Sequence, residues 1–264
     1  MRHSTEHVLP QWMRKHEQAL LTSSRTRYGF GLTYDEQHRV FHELPPTGLV
    51  TSKSSLLHLT TRKVCEPCNT GWMARLEMAA EPLILQIAEA ARTGEPAPLT
   101  AVSARILSLW CKKTSITLEL SAARPDDFPA RFPGATGLAA GKLPRGSCVW
   151  AARHPRDYDL ATAEACMQIA DRPVPEPGDP FWVAWLTSFV YHQVSFLVFT
   201  PERPGRPIPG PLKPERWTRI WPATSPPDYP PLETINGSEL TATFSSVTSW
   251  LPPVHAHAVR RHNG

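Results

Sequence analysis

Two cysteines separated by two residues, in the run Val64-Cys65-Glu66-Pro67-Cys68-Asn69, constrain this chain more than any other stretch. A turn of that length at the head of a helix lets both sulfurs reach one tetrahedral ion, so the pair reads as half of a zinc site. Asn69 falls in the first helical turn and carries a carbonyl oxygen that can take a second metal. Far away in sequence, Thr5-Glu6-His7-Val8-Leu9-Pro10 sets an acid beside a histidine, followed by two aliphatic residues and a proline. A fold that uses both segments must bring the amino-terminal stretch against the start of that helix.

Taken together, these segments resemble the HNH family of nucleases, whose active site is a ββα-metal element. In that family an acid-His-aliphatic-aliphatic-Pro run lies on or beside the first strand, and Cys-x-x-Cys-(His/Asn) opens the helix. Glu6-His7-Val8-Leu9-Pro10 matches the first half and Cys65-x-x-Cys68-Asn69 the second. The longer runs Glu6-His7-Val8-Leu9-Pro10-Gln11-Trp12 and Cys68-Asn69-Thr70-Gly71-Trp72-Met73, with Leu76-Glu77, are similar to a bacterial and phage HNH-like subgroup. The likeness covers about the first eighty residues.

The resemblance implies that His7 is a general base taking a proton from the water that attacks phosphorus, a task suited to an imidazole that titrates near neutral pH. It implies that Glu6 and Asn69 hold one divalent cation, Mg²⁺ or Mn²⁺, because both offer hard oxygen donors. It implies DNA as substrate, and Cys65 and Cys68 as two of four ligands to a structural Zn²⁺, with His3 the only nearby donor to join them. Arg62, Lys63 and Arg75 flank the site and are able to grip phosphates.

Three positions depart from the family pattern. HNH proteins with a structural zinc carry a second Cys-x-x-Cys upstream of the acid-His pair, and five residues precede Glu6 here; either the true start lies upstream or the zinc set is incomplete. Thr60 stands near the place of the family's middle Asn. Trp72 or Met73 stands where a further ligand or cation is often found. Two other readings therefore stay open. One is a non-catalytic nucleic-acid-binding or structural zinc protein on the same scaffold. The other is a thiol-disulfide protein, since Cys-Glu-Pro-Cys at a helix start also looks like the thioredoxin-type motif, in which the helix end lowers a thiol pKa. Against the latter, Val64 replaces the usual Trp and no βαβ pattern surrounds the motif. Plainer readings also exist: a surface dipeptide for Glu6-His7, a reduced pair for the cysteines, solvated charge for the flanking cations.

Composition sets wider bounds. A chain of 264 residues suffices for one large domain or two small ones. With 41% hydrophobic and 20% charged residues it has a globular, soluble composition, which excludes global disorder. A net charge of +4, spread without a basic tract, permits a nucleic-acid partner without requiring one. The five cysteines, Cys65, Cys68, Cys111, Cys148 and Cys166, lack the regular spacing of a disulfide scaffold, and the last three read as buried thiols. With neither a signal segment nor an apolar run of membrane length, a cytoplasmic protein with no membrane association is expected.

Along the chain, the pattern predicts an α+β protein: an amino-terminal ββα-metal element with a helical pair over 1–122, an antiparallel β-rich region of unknown role over 147–251, and a flexible tail over 252–264. Pro10 to Leu21 reads as a short helix, and Tyr28–Tyr34 with His38–Leu44 as a hairpin. Ser55–Val64 reads as the strand that delivers the cysteine pair. From Asn69 a helix is expected to kink or restart at Pro82 and close at Gly94. Thr100 caps the next, whose apolar face is Val102, Ile106, Leu109 and Trp110. Prolines and glycines from Pro125 to Pro144 mark a boundary. Alternating runs at Ser147–Arg153, Ala163–Ala170, Phe181–Leu186, Val190–Phe199 and Trp217–Trp221 predict the sheet, and Asn236 opens a final short helix to about Val247. His255, His257 and His262 have no ligand spacing.

Overall fold

The computed structural model describes residues 3–13, 25–27, 31–35, 40–44, 50–52, 60–122, 135–154, 162–170, 181–201, 216–222, 228–229 and 256–258. Five short strands come first: β1 (His3–His7), β2 (Arg25–Arg27), β3 (Gly31–Asp35), β4 (Val40–Leu44) and β5 (Val50–Ser52). Strand β6 (Thr60–Cys65) leads into a helical entry formed by the turn Glu66–Cys68 and the wide turn Asn69–Met73. That entry continues as α1 (Ala74–Thr93), followed by β7 (Ala97–Pro98), α2 (Ala101–Ala122) and the short α3 (Ala135–Ala139). Then come β8 (Cys148–Arg153), β9 (Thr162–Ala170), β10 (Phe181–Tyr191), β11 (Val194–Pro201), β12 (Thr218–Trp221), β13 (Asp228–Tyr229) and β14 (Ala256–Ala258).

Helices and strands are mixed, and the antiparallel sheet expected in the second half is there, so the fold is α+β in its coarse outline. Six strands lie in the order β12-β8-β11-β10-β9-β14, every neighbouring pair antiparallel. The hairpin expected near residues 28–44 is β3 against β4, in the register Gly31 opposite Leu44 to Asp35 opposite Val40. Two local expectations are corrected. Strand β10 was expected to stop at Leu186; it runs on to Tyr191 and turns at His192-Gln193, with His192 at φ 50°. The hydroxyl residues that looked like a break are inside: Thr187 and Ser188 are fully buried, and the Thr187 hydroxyl meets that of Ser115 on α2 at 2.8 Å. Second, Ala256–Ala258, expected to be loose tail, pair with β9, whose open edge offers a row of unpaired backbone groups. The helix expected from Pro10 shows a turn, Met13 N–H donating to Pro10 O at 3.1 Å; its remainder, and the helix expected from Asn236, lie outside the described residues.

The helices obey their signals with two exceptions. Gly94 ends α1 in the left-handed conformation, φ 83°, its N–H donating to Ala90 O at 2.8 Å. The Thr100 hydroxyl accepts from Ser103 N at 3.0 Å and so caps α2. Pro82, however, does not divide α1, which is continuous from Ala74 to Thr93. Pro82 itself is exposed, while Ala80, Ile84, Ile87 and Ala91 hold the helix down by their burial. Val102, expected on the apolar face of α2, is 68% exposed. From Leu107 to Leu118 that helix is instead buried on all sides, lysines included.

One core joins the two halves. Val8, Leu9 and Met13, then Ile84, Ile87, Leu107 and Trp110, pack in a single cluster with Val149, Phe189, Phe196, Val198 and Tyr229. Trp110 of α2 meets Phe189 and Phe196 edge-on, with centroids 5.6 and 5.7 Å apart. The connection over 123–146 thus joins parts that share one interior. Trp72 and Met73 are packing residues, Met73 buried and Trp72 lying against Leu109, Ile116 and Leu138.

Candidate functional site

Strand β1 pairs antiparallel with β6, the strand that delivers the cysteines, so the two sequence segments are neighbours. The register is His3 opposite Cys65, Ser4 opposite Val64, Glu6 opposite Thr61 and His7 opposite Thr60. Between these pairs it slips: Thr5 faces both Arg62 and Lys63, a bulge of the kind that re-aims side chains beside sites. The strand β6 then turns straight into the helical entry. Cys65 caps it, its sulfur accepting the N–H of Cys68 at 3.2 Å. Asn69 opens the wide turn, within which Gly71 departs from helical angles at φ −97° and ψ −107° in open surroundings.

The Asn69 side chain reaches back across this junction. Its amide nitrogen donates to the Ser4 hydroxyl at 3.0 Å and to the Thr5 carbonyl at 3.4 Å. The Thr5 carbonyl can only accept, so that bond fixes which end of the amide is nitrogen and leaves Oδ1 as the oxygen to offer a cation. Asn69 is thereby held against the residues that immediately precede Glu6 and His7. His7 is half-buried at the end of β1.

Glu6 is 5% exposed and meets a residue that no motif named. Lys113 of α2, itself 1% exposed, places Nζ 2.7 Å from Glu6 Oε1 and 2.5 Å from Glu77 Oε1 of α1. One ammonium between two carboxylates leaves the cluster one negative charge in excess when all three are ionised. Burial raises the pKa of Glu6 above the ordinary carboxylate value; the Lys113 charge and hydrogen bond pull it down, and Glu77 pushes it up again. The signal for Lys113 was in the sequence: two adjacent lysines, Lys112 and Lys113, inside a run of apolar helix. A buried helix cannot carry such charges without partners.

The donor chemistry fits a hard cation. Glu6 and Asn69 provide a carboxylate and an amide oxygen, with Glu6 engaged by Lys113 through Oε1. Cys65 and Cys68 are joined as a disulfide, and disulfide and zinc are alternatives for the same two sulfurs. His3 stands opposite Cys65 in the ladder. Among the described residues no three His, Cys, Asp or Glu side chains gather as a metal-binding group. Arg62, Lys63 and Arg75 are exposed around the entry. No helix among the described residues is long and apolar enough to cross a membrane. Compared with protein-family models, curated proteins and solved structures, the chain finds no match.

Proposed function

We propose that this chain is a metal-dependent endonuclease of the HNH type that hydrolyses DNA phosphodiester bonds. The observation that supports the reading most is the Asn69 side chain laid on β1, directly before Glu6-His7, at the start of a helix fed by the paired strand. In this reading Glu6 and Asn69 hold one Mg²⁺ or Mn²⁺, which when bound offsets the charge that builds on phosphorus and on the leaving 3′ oxygen. His7 accepts a proton from water at an imidazole nitrogen as the water oxygen bonds to phosphorus and the bond from phosphorus to the 3′ oxygen breaks. Asn69 is held in place by Ser4 and Thr5, and Glu6 by its burial and Lys113, so neither donor must be ordered when substrate arrives. Arg62, Lys63 and Arg75 contact the backbone phosphates, which makes binding fall with salt.

Plasmid nicking with Mg²⁺ or Mn²⁺ tests the reading. The wild type is expected to cut, and His7→Ala to lose about 10²–10⁴-fold, the usual contribution of a general base. A second reading, a scaffold that binds nucleic acid without cutting it, is favoured by the commitment of Glu6 to Lys113. DNA binding that persists in a wild type unable to nick would establish that alternative.

A further inference from the structure

Lys113 is buried beside the site, yet it comes from α2, outside the strand-strand-helix element, and the reading above uses it only as a hold on Glu6. Its ammonium ties three elements at one point: β1 through Glu6, α1 through Glu77 and its own helix. Lysine carries a compact charge on a flexible stem, so its position must be set by what surrounds it. Here burial to 1% exposure and the second carboxylate, Glu77, set it.

We propose that Lys113, anchored by Glu77, is a positioning residue that fixes the Glu6 carboxylate, occupying one of its oxygens so that the other serves the divalent cation. This rests on the reading of Glu6 as a cation ligand. The physical reason is that a carboxylate and one amide oxygen make a sparse donor set, whose affinity depends on being held ready. Hydrogen-bonded outer partners orient metal ligands in this way, and losing one costs about 10–100-fold in metal affinity. A contrary effect acts through the same atoms: the ammonium repels a divalent ion and competes for Glu6. The two effects change affinity in opposite directions, so a measurement decides between them.

The experiment is titration of the full chain with Mn²⁺ alone, following unbound Mn²⁺ by electron paramagnetic resonance, with near-ultraviolet circular dichroism as the check on folding. Lys113→Met is expected to weaken Mn²⁺ binding by about 10–100-fold, and Lys113→Arg to recover part of the loss. Glu77→Gln keeps the Glu6–Lys113 pair but loosens its anchor, and is expected to show a smaller loss; it decides the matter if Lys113→Met does not fold. Unchanged affinity in the folded variants overturns the proposal, and so does tighter binding, which would show the ammonium competing with the ion. Asn69→Ala separates this from the reading beneath it. If Asn69→Ala loses Mn²⁺ while the Lys113 and Glu77 variants keep it, the cation site stands and the role of Lys113 falls; a wild type that binds no Mn²⁺ overturns both.

Discussion

Cys148 lies fully buried in β8, and burial pushes its thiol up to about 11, with Arg219 Nη2 at 3.6 Å drawing it partly back. A thiol raised from its ordinary value near 9 contributes stability that is whole below that value and lost as pH rises through about 11. The loss amounts to about 2–3 kcal/mol. Urea midpoints measured at pH 8 and pH 11 are expected to fall further for the wild type than for Cys148→Ala; equal falls would contradict this. The same burial sorts the thiols by reactivity. After reduction, iodoacetamide at neutral pH is expected to label the half-exposed Cys65 and Cys68 and to spare Cys111 and Cys148, read by mass spectrometry of the native protein. Catalytic turnover of a small disulfide by that pair would instead move the chain to thiol-disulfide chemistry. At this scale the sequence showed Glu6, His7 and Asn69, because their neighbours in the chain form motifs. It did not show the partners of Lys113, because those ion pairs span 107 and 36 residues of chain and depend on how three elements meet.

The elements were readable where the chain's own backbone chemistry decides them. Gly94 and Thr100 end and begin helices by local hydrogen bonds, and both do so where expected. Thr100→Ala is expected to cost about 1 kcal/mol by removing a cap, measured by urea denaturation. Pro82 was expected to kink α1 or to start a new helix there; no new helix starts, because the buried side chains on either side of it outweigh one missing hydrogen bond. That missing bond should still be felt. Pro82→Ala, at an exposed position, is expected to raise stability by about 1–3 kcal/mol; an unchanged or lower urea midpoint would show that the ring makes a favourable contact there. The extension of β10 to Tyr191 was hidden for a related reason. Serine and threonine signal a turn only when water or nearby backbone satisfies them, and Thr187 finds Ser115 across the core instead.

Across the whole molecule, the proline- and glycine-rich stretch between α2 and β8 marks a connection without saying whether its ends share an interior. They do: Trp110 of α2 sits on Phe189 and Phe196 of the sheet, and Tyr229 donates from β13 to Ala152 O at 3.2 Å. A fragment of residues 1–122 is therefore expected to show no cooperative thermal transition, and Trp110→Ala to cost the full chain about 3–5 kcal/mol. The β1–β6 pair and the helix entry are then held from outside themselves, by a helix and a sheet that the two motifs do not contain. The proposed activity requires one ion shared between the β1 segment and the helix entry. The chain has only three asparagines, Asn69, Asn236 and Asn263, so selective ¹⁵N-asparagine labelling gives a nearly empty spectrum in which Asn69 can be assigned by substitution. With labelled histidine in the same sample, substoichiometric Mn²⁺ is expected to broaden the Asn69 side-chain amide and the His7 ring signals together. Broadening of one without the other, or of neither, would contradict the account.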